Sequence, residues 1–322
     1  MPFFDLSPAE LEEYRPAVRT PADFDEFWTR TLADHSPDGD VVLEPYAAGL
    51  SLVDVWDMTF PGFDANPIKA WLIVPAGADE PLPGVVEFVG YGGGRGLPHE
   101  HLRWPSAGYA YLIMDTRGQG SAWGAGGGTA DPQGSGFSYP GFMTRGIDSQ
   151  ETYYYRRVFT DAVRAVAAFR ALPHVDATRV AVTGNSQGGG IAIAAAGLVP
   201  GLLGVMPNVP FLCHFGRAVG LTGLDPYEEI VRYLAVHREA EDRVFETLSY
   251  FDGVSFAART TAPALFSTAL QDMTCPPSTV FAARNNWAGG EAEIEIYRYN
   301  HHEGGDQLHW AKQAAWLAAR LG

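Results

Sequence analysis

The segment Gly184-Asn185-Ser186-Gln187-Gly188 carries the clearest chemical pattern in the chain. It is a G-x-S-x-G, preceded by the β-type run TRVAVT and followed by the small-residue stretch GGIAIAAAGL. A strand–turn–helix of this kind holds a serine on a sharp, strained turn whose neighbours must be small. It also puts Ser186 at a helix N-terminus, where the Gln187 N–H faces charge developing on a substrate oxygen. The competing reading is a glycine-rich turn with an incidental serine.

A serine nucleophile needs a base, and the base needs a carboxylate to orient it. Where the serine sits on such an elbow, the chain order is Ser, acid, His. The stretch PALFSTALQDMTCPP offers Asp272 in a loop broken by Pro276-Pro277. The stretch EAEIEIYRYNHHEGG offers His301 and His302 after an alternating run. Asp272 lies 86 residues after Ser186 and 30 before His302, room for intervening strand–helix units. The residues alone leave His301 and His302 as alternatives. His301, His302, Glu303, Asp306 and His309 are also dense in metal-ligand types. Neither they nor His99-Glu100-His101 match H-E-x-x-H, so no metal is expected.

A second donor to the substrate oxygen is expected from Gly90-Tyr91-Gly92-Gly93-Gly94-Arg95, the loop after VVEFV. Its glycines let backbone approach a ligand, and no G-K-[ST] marks a phosphate cradle. Asp115-Thr116-Arg117-Gly118-Gln119 follows YLIM, and Arg117 and Gln119 read as loop anchors. Tyr91, Trp104, Trp123 and Phe211 are expected near the mouth of the site. As a set they imply a small acyl pocket, although each competes with a role as core or rim filler.

These side chains need a scaffold. Strands are predicted over 53–60, 68–74, 85–89, 109–114, 179–183, 203–206, 264–268 and 293–298. Several are unbroken apolar runs, as in a parallel sheet covered on both faces. Helices are predicted over 155–172, 187–198, 227–238, 278–287 and 306–321. Asp225 reads as an N-cap and Pro226 as the first helical residue. The stretch 21–35 reads as a helix packed on the outside, and the glycine-rich 124–136 as a surface loop. Alternating strands and helices give an α/β class, with 1–322 as one domain and 1–50 as its N-terminal extension.

Composition narrows the partners. The chain has 322 residues, 38 acidic against 22 basic, and a net charge of −16. Nucleic acid and anionic membranes are disfavoured partners, because both need positive charge. Only Lys69 and Lys312 are lysines, leaving few candidates for Schiff-base chemistry. Cys213 and Cys275 allow one disulfide by count but no stapled scaffold. The N-terminal stretch MPFFDLSPAELEEYRP shows no signal-peptide pattern, and no apolar run suits a membrane span. A soluble, cytoplasmic protein is the expectation.

Taken together, the motifs closely resemble carbohydrate esterase family 7, the acetyl xylan esterase and cephalosporin-C deacetylase group. The family's R-G-Q appears as Arg117-Gly118-Gln119, its G-x-S-Q-G as Gly184-Asn185-Ser186-Gln187-Gly188, and its H-E as His302-Glu303. YPGFMTRGI, TYYYRRVFTDAVRAV, PFLCHFGRAV, TLSYFDGV and CPPSTVFAA extend the likeness over nearly the whole chain. The resemblance implies an α/β-hydrolase fold with Ser186 as nucleophile, Asp272 as acid and His302 as base. It implies an oxyanion hole from the N–H groups of Tyr91 and Gln187, and no cofactor. It also implies intracellular hexamers whose sites face a central cavity. Their substrates would be acetyl esters of short xylo-oligosaccharides and of cephalosporins. Asn185 stands where the family often has Gly, and the 124–136 loop departs from the family pattern. Competing readings are a peptidase or lactonase on the same fold, or a binding protein with a relic site.

Overall fold

The computed structural model describes residues 4–36, 38–133 and 136–322. Met1 to Phe3, Pro37, and Gly134 and Ser135 of the glycine-rich loop lie outside the described residues. The strands are β1 Val42–Pro45, β2 Val53–Pro61, β3 Pro67–Pro75, β4 Leu82–Phe88 and β5 Ala110–Met114, then β6 Val175–Asn185, β7 Gly204–Asn208, β8 Ala264–Ala269 and β9 Ala292–Tyr297. They form one sheet in the order β1-β2-β3-β5-β4-β6-β7-β8-β9. Pairing is antiparallel from β1 through β3 to β5, and parallel from β5 to β9. This is the predicted α/β architecture. β1 is an addition to it, because VLEP is short, mostly exposed and without alternation, and gives no strand signal.

The helices are α1 Pro8–Glu13, α2 Phe24–Asp34, α3 Arg103–Ser106, α4 Tyr154–Arg170, α5 Gln187–Leu198 and α6 Phe215–Leu221, then α7 Glu228–Val236, α8 Glu241–Ser249, α9 Gly253–Ala257, α10 Pro277–Asn285 and α11 Asp306–Ala318. No helix among the described residues is long and apolar enough to cross a membrane. The unbroken apolar strands are buried on both faces, as their pattern demands. Val86 and Phe88 of β4 point into the larger core, while Val85 and the nearby Val89 point into the smaller. Leu112 and Met114 of β5 oppose Tyr111 and Ile113 in the same way.

One local expectation holds and one is corrected. The helix expected over 21–35 is α2, packed on the outside with Asp25, Glu26, Thr29 and Arg30 exposed, while Phe24, Phe27 and Trp28 are buried among Phe159, Phe251 and Phe256. The Trp28 indole N–H donates to Tyr250 O at 3.0 Å. Its apolar face thus belongs to the larger core. Pro226, by contrast, is not the first helical residue. α7 starts at Glu228 with Tyr227 as its N-cap, and Asp225-Pro226 is a cis peptide in the preceding turn.

One ionic contact ties the loops above the sheet to α4. The Arg117 guanidinium, fully buried, donates from Nε and Nη2 to Asp161 at 2.6 and 2.8 Å. Asp161 also accepts from the Phe63 N–H at 2.8 Å, and Asp131 pairs with both Arg117 and Arg157. Burial opposes the Arg117 charge, but Asp161 and Asp131 outweigh it and raise the pKa. Arg117→Met strands the Asp161 charge in the interior. It should cost about 3–5 kcal/mol, read as a lowered denaturant midpoint; a loss under about 1 kcal/mol would refute this account.

Candidate active site

β6 ends at Asn185 and α5 begins at Gln187, leaving Ser186 alone on the turn with φ 57° and ψ −115°. The glycines around it are required by contact. A Cβ on Gly188 would meet Phe88 O at 1.9 Å, and one on Gly184 would meet the Gly188 carbonyl carbon at 2.4 Å. Ser186 N–H donates to Asn208 O, and its carbonyl accepts from Phe211 N–H, each at 2.9 Å. Its side chain opens into a cavity of about 510 Å³, which Tyr91, Trp123, Pro226, Thr274 and His302 also line.

Asp272 follows β8 in a tight turn and is fully buried. Its Oδ1 accepts from the N–H groups of Thr274 and Cys275 at 2.8 and 3.0 Å. Its Oδ2 lies 2.8 Å from His302 Nδ1. The structure thus brings His302 to the carboxylate and not His301, whose exposed ring meets Gln271 O at 2.9 Å. Among the described residues no hydrogen bond joins the Ser186 hydroxyl to His302. Such bonds are commonly long in unliganded sites and tighten with substrate bound.

The loop 90–95 is held by its neighbours. Gly92 N–H donates to Gln119 Oε1 at 2.7 Å, and Arg95 N–H to Asp115 Oδ1 at 2.9 Å. Gln119 Nε2 donates to Gln187 Oε1 at 2.8 Å, so one side chain bridges this loop and the serine turn. Tyr91 O accepts from the Trp123 indole at 2.7 Å, and the Tyr91 phenol donates to Glu229 at 2.6 Å. Burial, then the Glu229 charge, raise the pKa of that phenol, which stays protonated as a donor. The backbone N–H groups of Tyr91 and Gln187 have no acceptor among the described residues.

Two sequence-predicted residues lie elsewhere. Trp104 does not line the serine cavity; it is buried in the smaller core against Tyr109 and Trp310. Phe211 is fully buried under Tyr227 and Tyr91, beneath the cavity and not in its wall. Aromatic rings fill cores more often than they line sites, and sequence proximity to a loop does not separate the two. Trp123 is half-exposed and does line the cavity.

Sequence reasoning missed Asp115 and Glu229. Both act through contacts remote in the chain, with no local motif to mark them. Asp115 also accepts from the N–H groups of Gly128 and Thr129, and so orders the glycine-rich loop. Cys213 and Cys275 are both free and buried. The ligand-type atoms of Asp272, Cys275 and His302 lie within 4.8 Å of one another. The run from His301 to His309 does not converge in this way: His309 turns to Tyr297 instead.

The comparison with known proteins follows from this geometry. A family model described as acetyl xylan esterase (AXE1) matches residues 1–320. The chain belongs to the acetyl xylan esterase family. That is a family of carboxylic ester hydrolases, and the fold is that of the α/β-hydrolases. It is similar to the acetyl xylan esterase from Paenibacillus sp. R4, with 38% identity, TM-score 0.91, and 98% and 99% of the two chains covered. Acetyl xylan esterase 1 from Thermoanaerobacterium sp. JW/SL YS485 is similar at 31% identity and TM-score 0.90, again over 98% and 99%. Acetyl esterase Axe7A of Xylanibacter ruminicola is 31% identical over 146 residues, 45% of this chain and 32% of that protein. The match therefore spans about a third of that curated relative's length.

Proposed function

We propose that this esterase removes acetyl groups from acetylated xylo-oligosaccharides and cephalosporin C-type esters through an acyl-enzyme on Ser186. The reading rests on the buried Asp272 carboxylate against His302 Nδ1, at the wall of the cavity that Ser186 enters. With Nδ1–H donating to Asp272, His302 Nε2 is left to accept the Ser186 proton. Ser186 Oγ then bonds the acetyl carbon, and the N–H groups of Tyr91 and Gln187 receive the oxyanion. His302 returns the proton to the leaving alkoxide, and a water activated by the same ring releases acetate. These groups handle every proton and charge of the reaction, so the proposal requires no cofactor or metal.

Ser186→Ala should lower kcat by several orders of magnitude with the fold intact, and Asp272→Asn on the order of 10⁴-fold by holding the wrong tautomer. His302→Ala should match Ser186→Ala, whereas His301→Ala should retain most turnover; the reverse order would reassign the base.

Tyr91 and Trp123 beside the loop support a small acyl pocket, where steric clash discriminates strongly against longer chains. The 4-nitrophenyl acetate kcat/KM should exceed that for the butyrate by at least about tenfold, the lower end of what a single methylene is worth. An optimum at octanoate would sink the small-pocket argument.

The family resemblance further supports a cytoplasmic homo-hexamer whose sites face a closed cavity. Light scattering should then give six times the monomer mass, and polymeric xylan should be a poorer substrate than oligosaccharides. A monomer in dilute neutral buffer would remove the assembly, and recovery of the enzyme outside the cytoplasm would remove the location.

A further inference from the structure

Beside the serine cavity lies a second cavity of about 200 Å³. It sits where β4, β6 and β7 end against the first turns of α11 and against α3. Glu87, Arg103 and Asn185 line both cavities, so the two adjoin. The proposed chemistry makes no use of this second space.

Its wall carries unanswered polar groups. His309 is 1% exposed, meets the Tyr297 phenol through Nδ1 at 3.1 Å, and has no partner at Nε2. The Trp310 indole N–H is likewise buried without a partner. Asn208 accepts from Gln313 through Oδ1 at 2.8 Å, which leaves its amide N–H groups to donate. An unpaired buried polar group costs about 1–3 kcal/mol, so a wall of them implies an occupant that supplies the missing bonds.

The chemistry of the wall selects that occupant. Burial pushes His309 down to about 4, so its ring is neutral at neutral pH and offers one N–H and one lone pair. A hydroxyl satisfies Nε2 in either tautomer, because it both donates and accepts. Glu87, Glu303 and Asp306 add acceptors and disfavour an anion. The Trp104 and Trp310 rings, packed edge to face, offer apolar surface to C–H groups. Alternating hydroxyls and C–H groups on one small ring are the features of a sugar. The volume corresponds to about six or seven waters, room for one monosaccharide ring.

We propose that this chamber is a subsite for the sugar unit next to the one whose acetyl group enters the serine cavity. The inference rests on the acetyl-ester reading above. It makes the enzyme a reader of the neighbouring unit, favouring acetylated disaccharides over acetylated monosaccharides.

Trp310→Phe removes the indole N–H while keeping a ring in place. The ratio of kcat/KM for acetylated xylobiose to that for acetylated xylose should fall about fivefold, mainly through KM, and His309→Gln should lower it in the same direction. Binding of unacetylated xylobiose to Ser186→Ala, followed by calorimetry, should weaken by a similar factor when Trp310→Phe is added. An unaltered ratio in both variants would overturn the subsite and leave the chamber to water alone. Parallel loss on both esters would overturn it in favour of a packing role. If the wild-type protein cleaves no acetyl ester, the functional reading fails, while the calorimetric arm still decides whether the chamber holds sugar.

Discussion

Ser186 holds φ 57° and ψ −115°, a conformation that costs an L-residue on the order of 1–3 kcal/mol. The surroundings of the turn are arranged to sustain it. The end of β7 must lie alongside, because Asn208 O takes the serine N–H. The chain must turn back at once after β7, because Phe211 N–H caps the serine carbonyl. α5 must rise against the end of β4, and the approach of Gly188 to Phe88 O leaves no room for a methyl group. Three central strands, a helix and the connection after β7 are therefore fixed relative to one another by a single strained residue. Relaxing the turn would drop the side chain out of the cavity.

The loop opposite is organised by subtraction. A glycine-rich loop presents many backbone donors, and most would be useless or misplaced in a reaction. Gln119 takes the Gly92 N–H, Asp115 takes that of Arg95, and Gly90 O takes that of Gly93. Glu229, Phe142 and Trp123 fix Tyr91 at its phenol and its carbonyl. The Tyr91 N–H, like that of Gln187, has no acceptor among the described residues. Preorganisation here means spending the other donors on fixed partners, so that little reorganisation accompanies charge formation.

The sequence announces this arrangement unevenly. The central strands are legible because burial on both faces makes them unbroken apolar runs, and α5 because a helix packed this closely needs Gly and Ala. The order of Ser186, Asp272 and His302, the proposed triad, is legible because loops after successive parallel strands emerge at one edge of the sheet. β1 is silent because a short exposed edge strand has no apolar period. Helices α6 and α9 are short, 7 and 5 residues, and tertiary contacts specify them more than pattern does, whereas α8 is as long as α7 and carries a pattern that the sequence analysis passes over. Glu229 lies 138 residues from Tyr91, and only the fold brings them together. Trp104 and Phe211 show the converse error: nearness in sequence places them at the site, whereas the short α3 and the turn after β7 direct them into the cores.

Cys275 raises the question of why serine and not cysteine serves as the proposed nucleophile here. The thiol lies within hydrogen-bond reach of the Ser186 hydroxyl and close to both Asp272 and His302. Thiols are intrinsically the better nucleophiles, but only as thiolates. Burial, and after it the Asp272 charge, push the Cys275 pKa well above its ordinary value. The carboxylate that orients His302 therefore also keeps the neighbouring sulfur protonated. The Asp272 charge is itself supported by the N–H groups of Thr274 and Cys275. The backbone of Cys275 thus helps to hold the anion that silences its own side chain, and one buried carboxylate both orients the proposed base and withholds the competing nucleophile.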